Sequence, residues 1–193
     1  MIPDGDVLII AGDIMSSGYL NEWYSRISAI GKLPHPIKLL VGGNHDIHLD
    51  LYSGPALQDL REHGIHVVGF PTDKNVYTLP NGIRVLGLPF VTGLPRWAFN
   101  RDEREIDVYL EPADIVVSHS PPYKVLDGNS HGHYGIRNYN KYIEEHKPKL
   151  WICGHVHEKY GKRPMMVGNT AVFNVCMCDE DYNQVNDPVV IDI

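Results

Sequence analysis

Gly42-Gly43-Asn44-His45-Asp46 puts an amide, an imidazole and a carboxylate on three consecutive residues, directly after the apolar run Ile37-Lys38-Leu39-Leu40-Val41. A run of this kind ending in two glycines predicts a buried strand turning sharply, and in open α/β sheets ligands bind beyond the carboxyl ends of strands. Polar side chains gathered there suit metal-assisted hydrolysis of a phosphoester. The competing reading makes Asn44 and Asp46 turn formers that bond their own backbone, with His45 a surface passenger.

Three further apolar runs end the same way. Val7-Leu8-Ile9-Ile10-Ala11 leads into Gly12-Asp13, Asp114-Ile115-Val116-Val117-Ser118 into His119-Ser120-Pro121-Pro122, and Leu150-Trp151-Ile152-Cys153 into Gly154-His155-Val156-His157. One such coincidence is cheap, but four in a small domain point to a shared site. Imidazole, carboxylate and amide ligands together suit borderline divalent ions such as manganese, iron, zinc or nickel better than magnesium. A transition metal held there would polarise a phosphoryl oxygen and lower the pKa of bound water from about 15.7 toward 7. A neighbouring imidazolium then protonates the departing alkoxide, typically a gain of about a hundred- to ten-thousand-fold. In this scheme Asp46 holds the imidazole in position.

The elements that must carry these groups follow from periodicity. The spacing of Leu20, Trp23, Tyr24, Ile27 and Ile30 predicts a helix stopped at Gly31, completing a β-α-β unit with the central run. Pro55–His63 reads as a short helix and Ile65–Val68 as a brief strand, with His63 and His66 structural. Val76–Leu79 and Ile83–Leu86 flank Pro80-Asn81-Gly82 as a hairpin, so the sheets are mixed. A loop over the sheet end is expected from Pro89 to Asn100, a charged helix from Arg101 to Leu110, and a second helix from Tyr139 to His146, ending before Pro148. Lys124–Asn138, rich in Gly, Asn and His, looks like a loop on the substrate side. His131-Gly132-His133 there is open between metal binding and ordinary loop histidines, and Arg137 between phosphate contact and a solvated guanidinium. Met165–Val167, Thr170–Val175 and Pro188–Ile193 read as closing strands.

Composition narrows the classes. The 193 residues make one domain, 1–193, long enough to bury about seventy per cent of the surface of its unfolded chain. Seventeen Lys and Arg against 24 Asp and Glu give a net charge of −7, which argues against binding long nucleic acid. A small phosphorylated substrate stays compatible, because bound cations reverse the local field. Eleven histidines invite a search for ligands. Cys153, Cys176 and Cys178 make no disulfide framework and fit a reducing compartment; Cys176-Met177-Cys178 reads as alternation inside a strand, with soft-metal binding the alternative. No apolar run has the length to span a bilayer, and Met1–Asp6 lacks the basic start of a leader, so a cytoplasmic protein free of membrane is expected.

In order and placement these motifs resemble those of the calcineurin-like metallophosphoesterases, whose pattern runs Asp-x-His, Gly-Asp, Gly-Asn-His-Asp or Glu, a lone His, and Gly-His-x-His. The chain matches the last four as Gly12-Asp13, Gly43-Asn44-His45-Asp46, His119 and Gly154-His155-Val156-His157. Pro3–Leu8, Lys147-Pro148-Lys149 and His157–Gly161 are similar to small metallophosphoesterase-domain proteins related to cyclic-nucleotide phosphodiesterases. The resemblance implies an α/β fold, a layered β-sandwich of mixed sheets flanked by helices, and hydrolysis of a small phosphodiester such as a cyclic nucleotide. It implies that Asp13 bridges two metals, that Asn44, His119 and His155 complete the second site, that His157 serves the first, and that His45 faces the leaving group as general acid. Arg137 and His133 become candidate substrate contacts. The Asp-x-His motif is absent, so the first strand of the family's sheet is expected to be missing and the first ion keeps only Asp13 and His157. Three explanations stand: a start codon placed too far downstream, true loss of one metal, or substitution by His131, His133 or Asp46. The rival function is a metal- or nucleotide-binding protein of the same fold with weak or no turnover, acting in regulation or assembly. An unpaired sheet edge would invite self-association into a homo-oligomer.

Overall fold

A computed structural model describes residues 2–16 and 18–193; Met1, the first residue of the stretch read as lacking a leader's basic start, and Ser17 lie outside them. In chain order the elements are β1 (Val7–Ala11), α1 (Leu20–Gly31), β2 (Ile37–Val41), α2 (Ile47–Leu51), α3 (Ser53–Glu62), β3 (His66–Val67), β4 (Val76–Thr78), β5 (Arg84–Leu88) and α4 (Glu103–Ile106). There follow β6 (Ile115–Ser118), β7 (Gly128–Asn129), β8 (Gly132–His133), α5 (Arg137–His146), β9 (Leu150–Cys153), β10 (Met165–Val167) and β11 (Thr170–Asn174). Short 3₁₀ turns cover Asp107–Tyr109 and His157–Lys159.

Two sheets face each other. The smaller is wholly parallel, in the order β1-β2-β3, with β1 at its edge. The larger is mixed, in the order β10-β11-β9-β6-β5-β4, with parallel pairs at its centre and the expected β4-β5 hairpin at one side. Alternation sorts the side chains into layers, because successive strand residues point to opposite faces. Leu39 and Val41 meet Val85, Ile115, Val117, Leu150, Ile152 and Phe173 between the sheets. Leu40 turns the other way, to Trp23 and Ile27 of α1 and Ala56 and Leu60 of α3. Leu86, Leu88, Val116 and Trp151 turn to Tyr139, Tyr142 and Ile143 of α5. The result is helix, sheet, sheet, helix, the layered architecture that the motifs implied.

Local differences from the sequence reading have local causes. In α1 only Trp23 and Ile27 are fully buried, while Leu20 and Tyr24 stay exposed. The charged helix starts at Glu103 because Asp102 caps it, accepting from the Arg104 amide while Glu105 accepts from the Asp102 amide. Arg137 belongs to the first turn of α5, not to the loop before it. That loop itself contains the small β7-β8 hairpin. Cys176-Met177-Cys178 lies beyond β11: Asn174 accepts from the Cys176 amide at 3.0 Å, and the Met177 carbonyl accepts from Val185 and Asn186, so the chain folds back. Pro188–Ile193 forms no strand; Val189 and Ile191 pack on the inter-sheet core without a backbone ladder, and Pro188 has no N–H to offer one.

Trp151 sits at the middle of the large sheet, fully buried, with its indole N–H donating to Ser118 Oγ at 2.8 Å and Ser118 donating to the Ser120 carbonyl at 2.6 Å. Trp151→Ala is expected to lower stability by about 3–5 kcal/mol, read as a shift in the urea midpoint with an unchanged slope.

Candidate metal centre

The four strand ends meet. Asp13 follows β1, Asn44 to Asp46 follow β2, His119 follows β6 and His155 follows β9. The ligand atoms of Asp13, His119 and His155 lie within 4.8 Å of one another. Asn44 joins them, its Oδ1 standing 2.9 Å from His119 Nε2, which is itself 3.3 Å from Asp13 Oδ2.

Backbone conformation aims these groups. Asp13 and His155 both occupy the left-handed region, at φ 56° and 66°, which few non-glycine residues adopt. The turns are also too tight for side chains: a Cβ on Gly43 would collide with Asp13 and with the His119 ring. Asp46 ties the turns together. Fully buried, it accepts from Gly43 at 2.8 Å, Asp13 at 2.9 Å and Met15 at 3.1 Å, so one carboxylate joins the loop after β1 to the loop after β2. Asn174, fully buried at the end of β11, likewise donates to the Gly154 and Val156 carbonyls and braces the loop that carries His155. It obeys the same strand-end rule as the other four, and sequence reading passed over it because an asparagine within an apolar run carries no motif.

The donor set suits a cation. His119 Nδ1 faces the Ala11 carbonyl at 2.9 Å; a carbonyl only accepts, so Nδ1 carries the hydrogen. In the neutral ring Nε2 then offers a lone pair, and it points at two oxygens that also offer lone pairs. Three such donors converging on one point fit a cation, and a histidine whose other nitrogen bonds a backbone carbonyl is a common form of metal ligand. Burial would lower the His119 pKa, but the Asp13 charge and bond raise it overall. His155 goes the other way, pushed down to about 3 by burial and by His119, so its imidazole is neutral and free to donate to a metal. Burial opposes ionisation of Asp13, yet His119, the His45 amide and His45 hold its carboxyl below the usual range. Burial and the Asp13 charge push Asp46 up, against its N–H donors.

Other expected site residues are placed differently. His45 lies beside the cluster, with Nδ1 donating to the Ser16 carbonyl at 2.8 Å and its amide bonding Asp13 at 2.8 Å. The imidazole is therefore positioned by Ser16, and Asp46, expected to hold it, is committed to backbone amides. His157 stands outside the convergent group; its Nδ1 meets the Asp179 carbonyl at 2.6 Å. Asp46, His131 and His133 do not join the group either. His133 instead bonds buried Asp127 at 2.7 Å and lines a cleft of about 560 Å³ with Lys124, Glu158 and Lys159. The Arg137 guanidinium is engaged by Glu103 at 3.3 Å and by the Tyr123 ring, 4.2 Å from its centroid.

The model of the calcineurin-like phosphoesterase family matches residues 2–159, and the chain belongs to that family of metallophosphoesterases. A UPF0046 protein of Caenorhabditis elegans is 31% identical over 227 residues, covering all of this chain and 55% of that protein. Metallophosphoesterase domain-containing protein 1 of Homo sapiens is 29% identical over 216 residues, covering all of this chain and 66% of that protein. The chain thus spans just over half to about two thirds of the length of these relatives. The crystal structure of TT1561 of Thermus thermophilus shares the fold, with a TM-score of 0.65 over 89% of this chain and 76% of that one at 15% identity. Among the described residues no helix is long and apolar enough to cross a membrane.

Asp46→Ala would leave three backbone N–H groups without their acceptor at about 1–3 kcal/mol each. The variant is expected to lose about 3 kcal/mol or more in urea unfolding and to lose divalent-metal binding in parallel by calorimetry.

Proposed function

We propose that the protein is a metal-dependent phosphoesterase acting on small phosphodiesters, cyclic nucleotides among them. The observation that carries this reading is the convergence of Asp13, Asn44, His119 and His155, delivered by four separate strands onto one point. Asp13, His119, His155 and Asn44 would hold a divalent transition ion such as manganese, iron, zinc or nickel. His157 would serve a second ion, with Asp13 between the two. Bound divalent ions supply a clamp for phosphoryl oxygens and bring the pKa of water toward neutrality.

The chain's own part is positioning and proton transfer. His45 donates Nδ1–H to Ser16, which fixes the ring and leaves Nε2 as the atom that exchanges a proton with substrate. Water adds to phosphorus as the ester P–O bond breaks; His45, as imidazolium, gives its Nε2 proton to the leaving oxygen, and the attacking water loses one proton to solvent, which restores the imidazolium for the next turnover. Neither long nucleic acid nor a membrane enters this reading. The second reading, a metal- or nucleotide-binding protein with little turnover, is favoured by one observation: His157 is not drawn into the cluster that the other ligands form.

Manganese-loaded protein is expected to hydrolyse bis(p-nitrophenyl) phosphate at a rate that His155→Ala abolishes; equal rates for the two would sink the enzyme reading. Metal analysis separates the variants of that reading, since two equivalents per chain put an ion at His157 and one restricts binding to the convergent cluster. Manganese at a hundred times its dissociation constant should stabilise the fold by about 2.7 kcal/mol, seen as a higher melting temperature that EDTA reverses.

A further inference from the structure

The family match ends at residue 159, yet the chain beyond it returns to the site. The turn Asp179–Asn183 is tightly built: the Asp179 carboxylate accepts from the Asp181 and Asn183 amides at 3.0 and 2.9 Å, and the Asp179 amide donates to the Asn183 carbonyl at 2.9 Å. The same turn touches two candidate site residues. Its Asp179 carbonyl accepts from His157, and Tyr182 stands edge-on to the His157 ring at 5.3 Å and to the His45 ring at 5.6 Å. The Tyr182 hydroxyl is 3.5 Å from His45 Nε2, the face on which a leaving oxygen would lie.

Tyr182 does this at a cost. It adopts φ 62°, unfavourable for a bulky side chain, and the residue stays 58% exposed, so burial does not explain its place. A second ring flanks the same imidazole: Trp97 lies 4.4 Å from His45 between centroids and is 40% exposed, on a loop pinned to the site by the bond from the Ala98 amide to the Asn44 carbonyl. Tyr182, edge-on, and Trp97, tilted, flank the same imidazole while both stay partly exposed, which makes a wall for a flat group.

We propose that Trp97 and Tyr182 form the leaving-group subsite and select phosphoesters whose leaving group carries a planar aromatic ring. This rests on the phosphoesterase reading, in which His45 faces the leaving oxygen. Aromatic pairing of this kind is expected to give roughly tenfold in affinity.

The test titrates manganese-loaded protein with phenylphosphonate and methylphosphonate, which share a head group and are not hydrolysed, by calorimetry. Trp97 also reports directly, because Trp23 and Trp151, the other two tryptophans, are fully buried. Phenylphosphonate is expected to bind about tenfold more tightly and to change the Trp97 emission. The preference should fall to about one in Trp97→Ala and in Tyr182→Gly, where glycine accepts the left-handed backbone and circular dichroism verifies the fold. Tyr182→Phe should keep it. A preference that survives both truncations overturns the proposal, as does methylphosphonate binding with no phenyl preference in the unaltered protein. If neither phosphonate binds, the phosphoesterase reading falls with it, a result distinct from the other two.

Discussion

The site depends on a carboxylate that is not aimed at it. Asp46 takes amide hydrogens from Gly43, Asp13 and Met15, so the turns after β1 and β2 close on one buried side chain. Those amides would otherwise be unpaired inside the protein, where a lost partner is costly. With them satisfied, Asp13 is held in a left-handed conformation and its Oδ1 takes the His45 amide, which sets the approach of Asn44 and His45 to the cluster. The arrangement is a chain of backbone constraints, each link a hydrogen bond between two strand ends.

The sheets make such a chain possible. Four parallel strands bring their carboxyl ends to one side of two facing sheets, and packing on both faces fixes that register, because a one-residue slip would exchange the side chains of the inter-sheet layer with those that meet the helices. Lone pairs that converge as those of Asp13, Asn44 and neutral His119 do repel one another unless a proton on His119 Nε2 or a metal cation joins them. The scaffold must supply the force that keeps them together, and the inter-sheet core beneath them does so. Strain at Asp13 and His155 is tolerable for the same reason: each follows a strand whose own position is fixed by packing in that core.

Much of this was legible in the sequence, and for a physical reason. A buried parallel strand is a continuous apolar run, so its end is visible, and polar residues at that end stand out against it. That rule pointed to Asp13, Asn44, His119 and His155, which the fold brings together. It misassigned the duty of Asp46, because adjacency to His45 suggested a side-chain pair while the actual partners are backbone amides, which look alike in every sequence. It also read Cys176–Cys178 and Pro188–Ile193 as strand, since apolar alternation records burial and not pairing; Val189 and Ile191 are packed against the core without a ladder. Arg137 looked free because Glu103 and Tyr123, its partners, are distant in the chain.

Tyr182 marks where pattern reading ends. Nothing at residue 182 signals chemistry: the tyrosine sits in an acidic, polar stretch that reads as a surface turn. Its place follows only from the return of the chain after β11, where Asn174 bends the backbone outward and the Asp179 turn then brings it back across His157. The candidate ligand residues come from strand ends, where the geometry is common to the fold. The aromatic residues around His45 come from loops, which vary without disturbing the sheets. On the leaving-group proposal, proteins sharing this metal scaffold would be expected to differ in such walls first, since a loop aromatic would change which leaving group is held without moving any candidate ligand.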